Sequence, residues 1–310
     1  MNAVLLDVLC VGHASWDLVF EVPRHPNPDE KLFAEALVTC GGGPAANAAV
    51  TAARLGLTSG FLGVLGADAF GDLHLKELNC EGVDTQMVLR NGSTAVSSVL
   101  VKPGGDRALV TARGRIEEPL SATMDPARIQ ATVYLFDGHE ARLSAPFIGR
   151  QCPTVLDAGS LHAGTRALMG QVEHLVCSEK FAREWLGEDR PDEALRQLSD
   201  IAPVVVITLG QRGLIWQRDG QQGSLGAFSV GAIDTTGAGD AFHGAYAAAL
   251  VMDLPWLEVL RFASAAGALA TTCMGARPAL PGKGAVEALL RSGKCMGLNE
   301  DSASPIGGCG

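Results

Sequence analysis

Short, largely apolar runs recur along the chain, several of them stopped by a glycine or an acid. Residues 8–11 stop at Gly12, residues 133–136 at Asp137, and residues 154–156 at Asp157. Residues 174–177 and 204–209 read the same way, and 57–65 forms a further strand-like run ending near Gly66. Runs without polar alternation fit strands buried on both faces. Between them lie segments with helical spacing or helix-forming composition: 45–55, 70–80, 238–252, 256–274 and 284–292. Gly82 supplies a stop just past the second of these. Alternation of strand and helix predicts βα units and a mostly parallel sheet. Two regions break the rhythm. Residues 18–38 hold a proline-punctuated loop and a possible strand at 31–38, and runs at 94–101 and 107–111 flank the hairpin signal Pro103-Gly104-Gly105-Asp106.

Composition narrows this to a folded α/β chain. Of 310 residues, 47% are hydrophobic and 19% charged, which suits a large core and argues against disorder. One domain over 1–295 is expected, with the small and polar residues 296–310 as a flexible tail. A net charge of −10 argues against a nucleic-acid partner but leaves room for a small anion held by backbone dipoles. No apolar run reaches the roughly 18 residues of a membrane helix, and the first residues lack a basic signal region, with Asp7 interrupting the apolar run. The eight cysteines form no C-x-x-C pair, so they read as reduced thiols in a cytoplasmic protein.

Two glycine-rich segments carry the candidate chemistry. In Asp234-Thr235-Thr236-Gly237-Ala238-Gly239-Asp240, small residues lead into an Ala-rich helix. Bare N–H groups and the helix dipole there would hold a phosphate or a phosphoryl transition state. Asp240 in the first turn is placed to take a proton from an attacking hydroxyl. Alone, the segment is equally a capped helix start. The second segment, Cys40-Gly41-Gly42-Gly43-Pro44-Ala45-Ala46-Asn47, also joins a strand to a helix. Its glycines admit a ligand close to the backbone, and Asn47 can donate to and accept from a hydroxyl. The segment fits G-x-G-x-x-A too, but a dinucleotide site needs an acid at the end of the next strand, and Asp68 lies beyond it. No Walker G-x-x-x-x-G-K-[ST] occurs.

Together the segments GGGPAANAAVTAARLG and DTTGAGDAFHGAYAAAL resemble the two signatures of the ribokinase-like (PfkB) carbohydrate kinases. VGHASWDLVFEVP, ITLGQRG and MGARPALP extend the resemblance over most of the chain. The resemblance implies a three-layer α/β/α fold with a mostly parallel central sheet and a small β-sheet lid, built from about 18–38 and 94–111, that often forms a dimer contact. It makes Asp240 the catalytic base and Gly237, Ala238 and Gly239 the anion hole. Asp17, Gly42, Gly43 and Asn47 become sugar ligands, and Thr208, Gly210 and Gly213 line the ATP loop. Asp234, Thr236 and Gly275 fall where many members bind a monovalent cation such as K⁺.

One motif departs. Relatives carry N-x-x-E before the ATP site, organising Mg²⁺ through water. Here Ser178 replaces the Asn and Phe181 the Glu, with Glu179 as a neighbouring substitute. ATP brings Mg²⁺ in any case. GGGPAA and Ser178-Glu179 are similar to the sulfofructose kinase branch, and Lys31 falls where that branch binds the sulfonate, but Thr111 and His139 replace its Asn and Arg. A neutral ketose or pentose is as credible. His139 is a candidate sugar contact. His13, Trp16, Arg107, Arg113, Arg115 and His243 read first as packing or surface residues.

The expectation is an ATP-dependent sugar kinase, a homodimer through the lid, with no nucleic-acid or membrane partner. A nucleoside kinase on the same fold, a non-catalytic sugar sensor and a dinucleotide oxidoreductase are the rivals. An aromatic content of 5%, with no aromatic pair marking a base slot, argues against a nucleoside.

Overall fold

The computed structural model describes residues 4–115 and 125–293. The tail expected at 296–310 lies outside the described residues.

Alternation of buried side chains builds the central sheet. Strand β1 (Val4–Val11) sends Val8 and Cys10 to one face and Leu9 and Val11 to the other. The next strands repeat this: β9 (Ile129–Phe136), β10 (Thr154–Ala158), β11 (His174–Ser178) and β12 (Val204–Thr208). With β4 (Ser59–Leu62) at one edge they form a parallel array ordered β12-β11-β10-β9-β1-β4. An antiparallel hairpin, β13 (Leu214–Arg218) and β14 (Gln221–Leu225), completes the eight strands at the other edge.

Helices cover both faces. On one lie α1 (Pro44–Arg54), α7 (Ala238–Val251), α8 (Trp256–Leu269) and α10 (Lys283–Ser292). On the other lie α4 (Ala163–Leu168), α5 (Glu179–Leu186) and α6 (Pro191–Leu198). Ala dominates the buried faces of α1 and α7, so these helices pack closely, and Gly244 lies where a Cβ would come within 2.6 Å of the Ala48 carbonyl oxygen. Fully burying one Val, Leu or Ile of the sheet is worth about 1.5–3 kcal/mol.

A separate four-stranded sheet is ordered β3-β2-β7-β8, from β2 (Ser15–Glu21), β3 (Ala36–Gly42), β7 (Ala95–Val101) and β8 (Arg107–Ala112). One face packs Val19, Val99 and Val101 inward. The other carries Leu18, Phe20, Leu37, Leu100 and Val110, which share a side by register.

Three local readings are corrected. The strand expected at 31–38 begins at Ala36 and runs through Gly41 and Gly42, because glycines inside a strand admit close neighbours rather than ending it. The run at 57–65 divides at Gly63 into β4 and β5 (Val64–Leu65), since a Cβ on Gly63 would stand 2.4 Å from the Gly12 carbonyl oxygen. The helix expected over 256–274 ends at Leu269.

Candidate active site

Asp17 sits in β2 with Cys40 of β3 and Ser97 of β7 opposite it. It is buried, and its Oδ1 accepts from Ser15 Oγ at 2.8 Å. Gly42 passes so close that a Cβ would stand 2.1 Å from Asp17 Oδ2. Gly43 follows at φ 94°, with no room for a Cβ beside the His13 carbonyl oxygen at 2.5 Å. Both glycines are therefore required by geometry. Burial pushes the Asp17 carboxyl up, hydrogen bonds from Ser15 and Ser97 pull it back, and the nearby Asp240 charge adds to the rise while Arg277 opposes it.

Gly237 caps α7 in the left-handed region, at φ 80°. The amides of the first turn have no intrahelical partner, as in any helix start. Nothing lies within 4 Å of a Cβ placed on Gly239, so this turn opens onto free space. Asp240 stands in the same turn, and its Oδ2 accepts from Asn47 Nδ2 at 2.7 Å. The two glycine-rich segments thus meet side chain to side chain.

Behind the turn, Asp157 of β10 and His243 of α7 form a buried pair, with His243 Nδ1 3.2 Å from Asp157 Oδ2. The same nitrogen is 2.6 Å from the Gly239 carbonyl oxygen, and Nε2 is 3.1 Å from that of Val176. The Asp157 carboxyl is pushed up to about 7, mainly by burial, with His243 opposing and Asp240 and Asp137 reinforcing.

At the far end of β11 and β12, Thr208 Oγ reaches the Cys177 carbonyl oxygen at 3.4 Å. Gly210 and Gly213 both have positive φ, and a Cβ on Gly213 would overlap the Leu225 carbonyl oxygen at 1.9 Å. Ser178 caps α5, accepting from the Phe181 amide at 3.0 Å and donating to the Gly159 carbonyl at 2.9 Å. Such a cap is worth about 1 kcal/mol. Glu179 is ion-paired with Arg212. Among the described residues no group of three or more His, Cys, Asp or Glu side chains is arranged to hold a metal.

Residues 5–283 match the pfkB family of carbohydrate kinases. The chain belongs to that family. It is 28% identical over 287 residues to the ribokinase of Haemophilus influenzae, covering 87% of this chain and 94% of that one. It is 30% identical over 304 residues to an ATP-dependent ribose-1-phosphate kinase of Halopiger xanaduensis, covering 92% and 98%. The structure of Arabidopsis thaliana ribokinase complexed with ribose and ATP superposes with a TM-score of 0.78 at 26% identity, covering 94% of this chain and 99% of that one. The three-layer fold with a small second sheet is thus that of the ribokinases.

In this kinase the remaining candidate residues fall in three places. Asp234, Thr236 and Gly275 come together: Asp234 Oδ1 accepts from the Thr236 amide and Oγ at 2.9 and 2.6 Å, and Oδ2 from the Gly275 amide at 2.9 Å. His139 is exposed, with its ring in a row between those of His13 and His162, at 5.2 and 4.6 Å. Its amide donates to Asp137 Oδ1 at 2.9 Å. Lys31 is exposed on the loop before β3, with Nζ 5.6 Å from the Phe33 ring centre. It joins none of the contacts around Asp17 and Asp240.

Sequence reasoning passed over Asp137, Asp157 and Arg277 and gave His243 only a packing role. The first two end apolar runs in the sequence, and an acid at the carboxyl edge of a parallel sheet is a usable signal. Arg277 was legible only as a cation inside an apolar motif.

Proposed function

We propose that this kinase transfers the γ-phosphate of ATP to a primary hydroxyl of a small ketose or pentose. The observation that carries the reading is the position of Asp240. Its carboxylate lies in the first turn of an open helix start and is hydrogen-bonded to Asn47 of the glycine-rich segment that also packs on Asp17. Asp17, Gly42 and Gly43 bind sugar hydroxyls, and Asn47 adds the Nδ2 hydrogen that its bond to Asp240 leaves over. Asp240 takes the hydroxyl proton, the freed oxygen bonds to the γ-phosphorus, and the bond from that phosphorus to the β–γ bridging oxygen breaks, leaving ADP. Amides of residues 237–239 stabilise the charge developing on the transferred group. Thr208, Gly210, Gly213 and Ser178 line the nucleotide loop, and Mg²⁺ arrives on the phosphate oxygens.

The cation reading rests on Asp234. Its carboxylate is buried and held by three N–H or O–H donors, and no protein cation pairs with it among the described residues. A buried carboxylate with no cationic side chain beside it is a group that a K⁺ ion would balance. The dimer reading rests on the outer face of the small sheet, where Leu37 and Val110 are 53% and 74% exposed beside Phe20 and Leu100. A second copy of this sheet covers that patch.

The test is an ADP-release assay over ribose, fructose, ribose 1-phosphate, sulfofructose and nucleosides. ADP release that depends on a neutral ketose or pentose is expected. A response to nucleosides alone, or sugar-induced thermal stabilisation with no ADP release, overturns the reading.

A further inference from the structure

Arg277 is the largest side chain fully buried in the described structure, 1% exposed, in the short helix α9 (Ala276–Ala279). Its Nε donates to Asn47 Oδ1 at 3.0 Å, and one terminal nitrogen lies 3.2 Å from His74 Nε2. The other, Nη1, has no hydrogen-bond partner and stands 3.8 Å from Glu77 Oε1. Glu77 itself is engaged by the Gly41 amide at 2.7 Å. Gly41 has no side chain where a Cβ would meet His74 at 2.8 Å and Arg277 Nη1 at 3.0 Å. The backbone of the glycine-rich segment therefore makes room for this arginine.

Stability does not explain such a residue. Removing a guanidinium from water costs several kcal/mol, and a loosely matched carboxylate with one orphaned nitrogen recovers little of it. An apolar side chain of similar volume would hold the helix as well or better. What the guanidinium does is fix an amide. An arginine has donors and no acceptor. Asn47 must therefore turn Oδ1 toward Arg277, and this leaves Nδ2 facing Asp240 at 2.7 Å. The other amide rotamer would set a guanidinium donor against an NH₂ donor and the amide oxygen against a carboxylate.

We propose that Arg277 is a positioning residue for phosphoryl transfer: through Asn47 it holds the Asp240 carboxylate in one orientation, with Oδ2 occupied by the amide and Oδ1 left for the sugar hydroxyl. The proposal rests on the reading of Asp240 as the base. Arg277 is buried and reaches Asp240 through Asn47, while its charge also bears on Asp17, so the KM for the sugar is read separately from kcat.

A double-mutant cycle tests this. Arg277→Met should lower kcat by about 10- to 100-fold, the scale of a misplaced reacting group, and leave the KM for ATP within about twofold. Asn47→Ala should lower kcat at least as much. The double variant should be no slower than Asn47→Ala alone, because the arginine has nothing left to orient. Arg277→Lys, which keeps the charge but lacks the Nε–H, should behave as Arg277→Met. Where Arg277→Met strands Glu77 and fails to fold, Glu77→Gln with Arg277→Met removes the unpaired carboxylate and takes its place in the cycle, against a Glu77→Gln reference. Losses that multiply in the double variant, or a folded Arg277→Met enzyme with wild-type kcat, overturn the proposal. Asp240→Asn stands apart from the cycle: full activity there rejects the base itself, whereas an inactive Asp240→Asn with multiplying losses rejects only the role of Arg277.

Discussion

The Cα of Gly42 faces the Asp17 carboxylate so directly that a single added methyl group would sit 2.1 Å from Oδ2. Gly42→Ala must therefore push Asp17 out of its hydrogen bond with Ser15. A hydrogen bond to a charged group is worth about 1.5–3 kcal/mol. The KM for the sugar should rise by roughly tenfold to a hundredfold, with the KM for ATP unchanged, as steady-state kinetics will read.

Asp240→Asn keeps the side chain's size and removes its proton affinity. Turnover should fall by about 10²–10⁴-fold, the usual contribution of a positioned base. Binding of ATP, followed by calorimetry, should be preserved. Near-normal turnover rejects the base.

The Glu140 carboxyl is pushed up to about 7, first by burial and then by the charge of Asp137. The folded protein thus holds this proton more tightly than the unfolded chain does. Stability contributed by the protonated acid is complete below the ordinary glutamate value and is lost as pH rises through about 7. Glu140→Gln should match the wild type in melting temperature near pH 4.5 and exceed it near pH 8. Equal melting curves at both pH values contradict the shift.

Replacing K⁺ by a bulky organic cation should lower activity by about fivefold or more, a typical coupling between sites. Asp234→Ala should erase the difference between the two salts. A wild-type rate indifferent to the cation removes the assignment.

The outer face of the small sheet predicts a dimer in sedimentation velocity. Val110→Asp, at a position 74% exposed in the single chain, should yield monomers with an unchanged fold by circular dichroism. A wild-type monomer at micromolar concentration rejects the lid contact.

Much of this was legible in the chain, for physical reasons that differ from place to place. The parallel strands are buried on both faces, so β9 to β12 read as apolar runs. The helices α1 and α7 announced themselves by glycines and alanines whose spacing is fixed by close approach. The hairpin β13–β14 was missed, although Asp219 and Gly220 between its strands both adopt positive φ. β13 opens with the apolar run Leu214-Ile215-Trp216, but the edge strand β14 is polar and largely exposed, so half of the hairpin carries no apolar signal. Asp240 and Asn47 could each be singled out, but not their 2.7 Å contact, nor Arg277 behind it, since these join residues from α1, α7 and α9. Lys31 could be placed only by likeness, and the structure leaves it outside the cluster.

Asp137 ends β9 and accepts amide hydrogens from His13 at 2.7 Å, Ala45 at 3.3 Å and His139 at 2.9 Å. One carboxylate thereby rivets three separate stretches of backbone into a rim at the carboxyl edge of the parallel sheet. Their relative placement is settled during folding rather than at each encounter. An arriving sugar has only its own hydroxyls left to arrange, and that is a smaller loss of freedom than assembling the rim around it.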